Sequence, residues 1–127
     1  MLELAAQYAS FRPVQIRQIA ANQGVPEKFL VQILLQLKLA GLTLSTRGAA
    51  GGYRLAKPPE DICLSEIVFA IEGDSKPDID EEESPAAAAL RETWRKIDRA
   101  RHEILKSTSL AEILESVNEQ DEPMYHI

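Results

Sequence analysis

Two stretches of the chain carry side chains suited to reading a nucleic acid. In the first, Gln15, Arg17, Pro26, Glu27, Lys28, Val31 and Gln32 fall on the outward sides of two short helical patterns. The second is the Gly-rich run RGAAGGYR, Arg47–Arg54, in which Arg47 leads and Gly48, Gly51, Gly52 and Tyr53 follow. A glutamine amide bonds adenine through two hydrogen bonds, lysine reaches guanine or phosphate, and a valine methyl fits against the methyl of thymine. The glycines permit close backbone approach, and an arginine at a loop tip enters a narrow minor groove, where the negative potential is enhanced.

Other chemistry has no residues to carry it. Cys63 is the only cysteine, so no internal disulfide framework is expected, in keeping with a reducing, cytoplasmic setting. Cys63 reads as a small buried hydrophobe at a strand–helix junction. His102 and His126 are far apart, and His102 reads as part of a solvated helix face. The acidic run Asp78, Asp80, Glu81, Glu82, Glu83 lacks the ligand spacing and central glycine of a calcium loop. No GxSxG, HExxH or GxxxxGK[ST] pattern occurs. No metal, no cofactor and no enzymatic activity are expected.

The elements that must position the first set follow from apolar spacing. Ile16, Ile19 and Ala20 form one face of a helix over roughly Gln15–Asn22. Gly24 ends it, and Pro26 suits the first turn of a second helix running to about Ala40. Phe29, Leu30, Ile33, Leu34 and Leu37 make the buried stripe of that helix. Short β-compatible runs, Leu42–Ser45 and Tyr53–Leu55, flank the Gly-rich loop and make it a wing, and Lys57-Pro58-Pro59 ends the second. Helix, tight turn, helix and wing is the order of a winged helix-turn-helix unit.

Leu2–Ser10 reads as an uncapped helix. Leu64–Glu72 reads as a helix closed by Gly73, with Ile67, Val68, Ala70 and Ile71 packed inward. Residues 74–83 read as an acidic surface loop. Ser84 and Pro85 open a long helix to about Lys106, striped by Leu90, Trp94, Ile97, Arg101, Ile104 and Leu105. Ser109 and Glu112 form a capping box for a last helix, Leu110–Val117, with a frayed tail beyond it. The fold class expected is mainly α with a small β wing: a winged helix-turn-helix domain at 1–73, an acidic loop at 74–84, and a dimerisation helix plus C-terminal helix at 85–127. The long stripe is more apolar surface than one small winged helix can cover, so a homodimer through a twin helix is expected. A twofold dimer would set its recognition helices about one DNA turn, roughly 34 Å, apart.

At 127 residues the chain has room for one domain with an appended helix, and no apolar run is long enough to span a membrane. The net charge of −6 argues against a polyanion partner until it is divided. Residues 1–59 hold seven basic and two acidic side chains, a net of +5. Residues 60–127 hold seven and eighteen, a net of −11. The local field steers double-stranded DNA, so the basic half is expected to face it and the acidic half to face away.

IRQIA (16–20), the helix at 29–37, AGL (40–42), STRGAAGGYRLA (45–56), LSEIVFAIEG (64–73) and the late helix around Leu90–Leu105 together resemble the Rrf2 family of bacterial transcription regulators. That family includes iron–sulfur and cysteine-metabolism repressors. The resemblance spans nearly the whole chain, and AGLxxSxRGxxGGYxLA is its specific part. It implies a winged-helix homodimer that represses or activates at a roughly palindromic operator. Iron–sulfur members carry three cysteines between the Gly73 region and the long helix. This chain has none there, so a cluster-free member is expected. In the family the first helix begins upstream of the residue matching Met1, so either its start is shortened here or part of it is missing from this chain, with some DNA affinity and core burial expected to go with it. Many relatives carry an acidic residue at Val31, and basic ones near Leu39, Leu44 and Ala50, so operator preference does not carry over. The alternative is a winged-helix interaction module that has lost DNA binding and docks a partner protein. The signal sensed, whether a partner or a small-molecule effector, is not legible.

Overall fold

The computed structural model describes residues 1–73 and 84–121. It is mainly helical with one two-stranded sheet, the fold class read from the sequence. In chain order come α1 (Leu2–Ala6), a 3-10 turn at Tyr8–Ser10, α2 (Ile16–Gln23), α3 (Glu27–Leu39), β1 (Thr43–Thr46), β2 (Gly52–Leu55), a 3-10 turn at Pro59–Asp61, α4 (Leu64–Glu72), α5 (Pro85–Ser107) and α6 (Leu110–Asp121). The acidic loop expected at 74–83 and the tail beyond Asp121, with His126, lie outside the described residues.

The N-terminal helix is shorter than expected, because it breaks after Ala6 into the 3-10 turn. Phe11 then adopts a left-handed backbone with φ 56°, and its ring tilts against Tyr8. Gly24 ends α2 with φ 63°, and the Val25 N–H reaches back to the Ala20 carbonyl. Pro26 is the N-cap of α3, not its first residue. Its extended ψ of 134° turns its carbonyl to accept from Phe29 and Leu30. Leu30, Leu34 and Leu37 are the buried line of α3, and Ile33 is half-buried. Phe29 was expected in that stripe but is 58% exposed. It sits a full 100° from Leu30 around the helix, which carries it to the rim of an apolar groove.

The core joins both ends of the chain. Leu4, Val14, Ile19, Leu42, Leu55 and Ile62 pack with the α3 line and with Leu110 of α6. The joint is a β-bridge between Cys63 and Ser109: Leu64 donates to Thr108, and Leu110 donates to Ile62. This bridge fixes the start of α4 against the α5–α6 corner. Ile67 and Ala70 of α4 pack on the core, whereas Ile71 and Phe69 are exposed. The four positions expected inward, Ile67, Val68, Ala70 and Ile71, span about 160° of the helix, more than the one side of α4 that rests on the core. Ser84 caps α5 by accepting from Ala87, and Ser109 accepts from Glu112 at the start of α6, which continues to Asp121, past the expected Val117.

Thr43, in β1, is 1% exposed, and its hydroxyl has no hydrogen-bond partner. A buried, unpaired hydroxyl is a net cost, and valine has nearly the same shape. Thr43→Val is expected to stabilise the fold by about 1 kcal/mol, a rise of a few degrees in Tm. A lower Tm in a calorimetric scan would show that the hydroxyl has a partner in solution.

Glu66 closes the first turn of α4. It accepts from Lys57 at 2.8 Å and from the Cys63 N–H at 3.0 Å. The Lys57 hydrogen bond is the main reason its carboxyl lies below the usual carboxylate range. Partial burial works in the opposite direction, and the Cys63 N–H adds to the lowering. A depressed carboxyl contributes stability above its unfolded pKa and loses it as pH falls through the folded one. The pair is over a third exposed, so the contribution is a few tenths to about 1 kcal/mol. In urea titrations Glu66→Gln should be less stable than wild type near neutral pH. That gap should close below about pH 4. A gap that persists in acid would assign the loss to shape rather than charge.

Candidate nucleic-acid interface

The wing is placed by backbone contacts before any side chain acts. β1 and β2 pair antiparallel, with Thr43 opposite Leu55 and Thr46 opposite Gly52. β2 also pairs with the entry to α2. Val14 donates to the Tyr53 carbonyl at 2.8 Å, and Tyr53 donates back at 2.9 Å. Gly52 makes this possible. Its φ is 148°, and a Cβ there would run into the Val14 carbonyl. A Cβ on Gly51 would strike the Thr46 carbonyl, so the neck of the turn closes only on glycine.

Side chains then brace the same unit. The Gln15 amide donates to the Ala49 carbonyl at 3.1 Å, across the gap between α2 and the wing turn. Lys38, in the last turn of α3, donates to the Ser45 hydroxyl at 2.7 Å. The result is a cleft of about 490 Å³ between the start of the helix-turn-helix and the wing.

Gln15, Arg17, Glu27, Arg47, Gly48, Gly51, Gly52 and Tyr53 line this cleft, as do Ile16, Ser45 and Thr46. Eight of the twelve positions picked from the sequence for DNA contact are therefore brought to one place. Pro26, at the N-cap of α3, and Lys28, Val31 and Gln32 on α3 are exposed but do not line the cleft. Ser45 and Thr46 were not singled out from the sequence. The signal for them was their place at the end of β1, directly before Arg47, where two hydroxyls flank the wing turn. Gln15 also has a part that was not expected: one of its amide N–H groups holds the Ala49 carbonyl, while the side chain stays exposed on the cleft. Chemically, the arrangement offers guanidinium and hydroxyl donors on a concave wall beside an exposed helix face in the basic half of the chain. That combination suits phosphate contact and groove entry.

The second predicted set lies on α5. No residue of that 23-residue helix is fully buried. Leu90, Trp94, Ile97 and Ile104 are exposed, Trp94 at 59%, and Arg101 lies among them. Leu105 departs from the stripe. It is half-buried and lines a cleft of about 260 Å³ with Val68, Phe69, Glu72, Asp98 and His102. Among the described residues, no three His, Cys, Asp or Glu side chains come together as a metal site would need, and no helix is long and apolar enough to cross a membrane.

Residues 1–116 match the family model Rrf2, described as an iron-dependent transcriptional regulator. The transcriptional regulator CymR of Bacillus subtilis is 36% identical over 129 residues, covering 100% of this chain and 91% of that one. Protein rrf2 of Nitratidesulfovibrio vulgaris is 35% identical over 119 residues, covering 90% of this chain and 79% of its own length. Among solved structures, CymR, the global cysteine regulator of B. subtilis, superposes with a TM-score of 0.77 at 35% identity, covering 91% of this chain and 87% of that one. IscR of T. potens gives 0.77 at 34% identity, covering 94% and 81%. These relatives are regulators of transcription rather than enzymes. With a winged helix-turn-helix whose cleft gathers the basic and glycine residues of the wing, and a family match over most of its length, the chain belongs to the Rrf2 family of transcriptional regulators.

Proposed function

We propose that this protein is a dimeric regulator that binds a roughly palindromic DNA operator without an iron–sulfur cluster. The observation that carries the DNA reading is the shared cleft: Arg17 on α2 and Arg47 on the wing open onto one concavity beside the exposed face of α3. Lys28, Val31 and Gln32 would enter the major groove, and Arg47 the adjacent minor groove. The uncovered face of α5 supports the dimer, which would pair two such units across two half-sites. A salt-dependent titration on promoter fragments tests the reading. Specific binding whose affinity falls steeply with salt supports it. A folded protein that binds no fragment would make it an interaction module instead.

The family description names iron, and the donor set here does not fit a cluster. Cys63 is the only cysteine, and four thiolates are the usual requirement. A dimer would bring two. Each is an N-cap of α4, half-buried, with its Sγ 2.9 Å from the Ser65 hydroxyl. Protein purified without oxygen is expected to be colourless, with iron well below one per chain and no acid-labile sulfide. A stoichiometric cluster in that assay would overturn this part of the proposal.

A further inference from the structure

Leu90, Trp94, Ile97, Arg101 and Ile104 follow one another at steps of four, three, four and three. This is the seven-residue repeat of helices that pair lengthwise, with an arginine at one of the seam positions. Arg101 is held from its own chain. Its Nη2 donates to both carboxylate oxygens of Glu72 on α4, at 3.1 and 3.3 Å, and the pair is about half exposed. The bond lies at one edge of the guanidinium, which leaves the flat faces for stacking. On one flank of the seam Asp98 and Leu105 turn toward α4. The other flank is Ala86, Thr93, Ala100 and Ser107, all exposed and all small enough for a second helix to come close.

The repeat is self-complementary in one direction only. Parallel pairing would set Arg101 against the partner's Arg101, two like charges in a seam losing water. A twofold antiparallel pairing centred on Ile97 sets Ile97 against the partner's Ile97 and Leu90 against the partner's Ile104. Trp94 lies three residues before the centre and Arg101 four after it, so the indole falls within about one residue rise, ~1.5 Å, of the partner's Arg101 along the seam and on the same side of it. Resting on the dimer reading above, we propose that α5 pairs antiparallel with a second copy in this register, and that Trp94 stacks on the partner's Arg101 while Glu72 holds that guanidinium in place. Each dimer holds two such stacks. They convert a charge that would weaken an apolar seam into the contact that selects register and direction, since an arginine over an indole face is attracted by the ring quadrupole.

Two measurements on the full chain test this. First, single thiols are introduced into a Cys63→Ser background and oxidised mildly. Ile97→Cys should cross-link to itself. Leu90→Cys should not, but should cross-link when mixed with Ile104→Cys. Second, Trp94 is the only tryptophan, so its emission reports the seam directly. Emission should move to longer wavelength on dilution, with the same midpoint as the sedimentation isotherm. Arg101→Met should weaken the dimer roughly 5- to 30-fold and shift the dimer's emission, and Trp94→Leu combined with it should add little further loss. Dimers in which Leu90→Cys links to itself, or in which Arg101→Met matches wild type, would refute the register and stack while the dimer stands. A wild-type protein that sediments as a monomer at every concentration would refute both.

Discussion

Ile97→Glu is expected to turn the dimer into monomers at concentrations where the wild type remains paired. Ile97 is 47% exposed in the single chain, so the substitution removes nothing from the monomer's core, and glutamate is a good helix former. In the pair the same position meets its twin. Two carboxylates would then be desolvated side by side, each an unpaired charge costing about 2–3 kcal/mol even after relaxation. The sum corresponds to a weakening of at least about a thousandfold. Trp94→Glu should behave alike, losing the indole as well as introducing the charge. Sedimentation reports the association state, and circular dichroism should show unchanged helix content. A monomer presents one half-site unit, so operator affinity should fall with dimerisation. If both variants stay dimeric, the interface lies on another apolar surface. The groove edged by Phe29 and Ile33 would be the first to examine.

Arg47→Ala is expected to weaken specific binding by about 1–3 kcal/mol per subunit and to lower the salt slope by about 1 per half-site. Arg47 is exposed at the start of the wing turn and lines the cleft, and it holds no part of the core. The frame under it is independent of its side chain: the Val14–Tyr53 bonds, the Gly51–Gly52 neck and the Gln15–Ala49 brace all remain. The loss should therefore appear in affinity and ion release and not in the melting curve. Gln36→Ala, at the far end of α3, should cost less, because base contacts come mainly from the N-terminal residues of a recognition helix. Fluorescence anisotropy at several salt concentrations measures both quantities. A folded Arg47→Ala protein with wild-type affinity and slope would remove the wing from the mechanism and favour the interaction-module reading.

Much of this molecule is legible along the chain because its signals are local. Gly24 and Pro26 mark the tight turn, Gly41 the stop of α3, Gly73 the stop of α4, and Ser84-Pro85 the start of α5, each through backbone chemistry that acts within a few residues. The glycine pair in RGAAGGYR announced a wing for the same reason, although which carbonyls the two glycines must clear appears only when β2 lies against Val14 and the turn closes. The apolar period likewise located α3 and α5. It could not assign the edges of their faces, since Phe29 and Leu105 satisfy a helical spacing and yet sit one helical step outside the stripes drawn for them.

What the residues alone determined is the set of elements, their order, the basic and acidic halves, and the lack of a thiolate donor set. What only the tertiary structure decided is how distant parts are joined. Leu110, read as part of a separate C-terminal helix, shares a core with Leu4 and Ile62 through the Cys63–Ser109 bridge. Gln15 braces a wing turn 34 positions away through one amide N–H. Arg101 finds Glu72 at a separation of 29. Each of these is a contact between segments far apart in sequence. No periodicity encodes such a contact, because it exists only once the core has brought the two segments together and the entropy of closing the chain between them has been offset by burial.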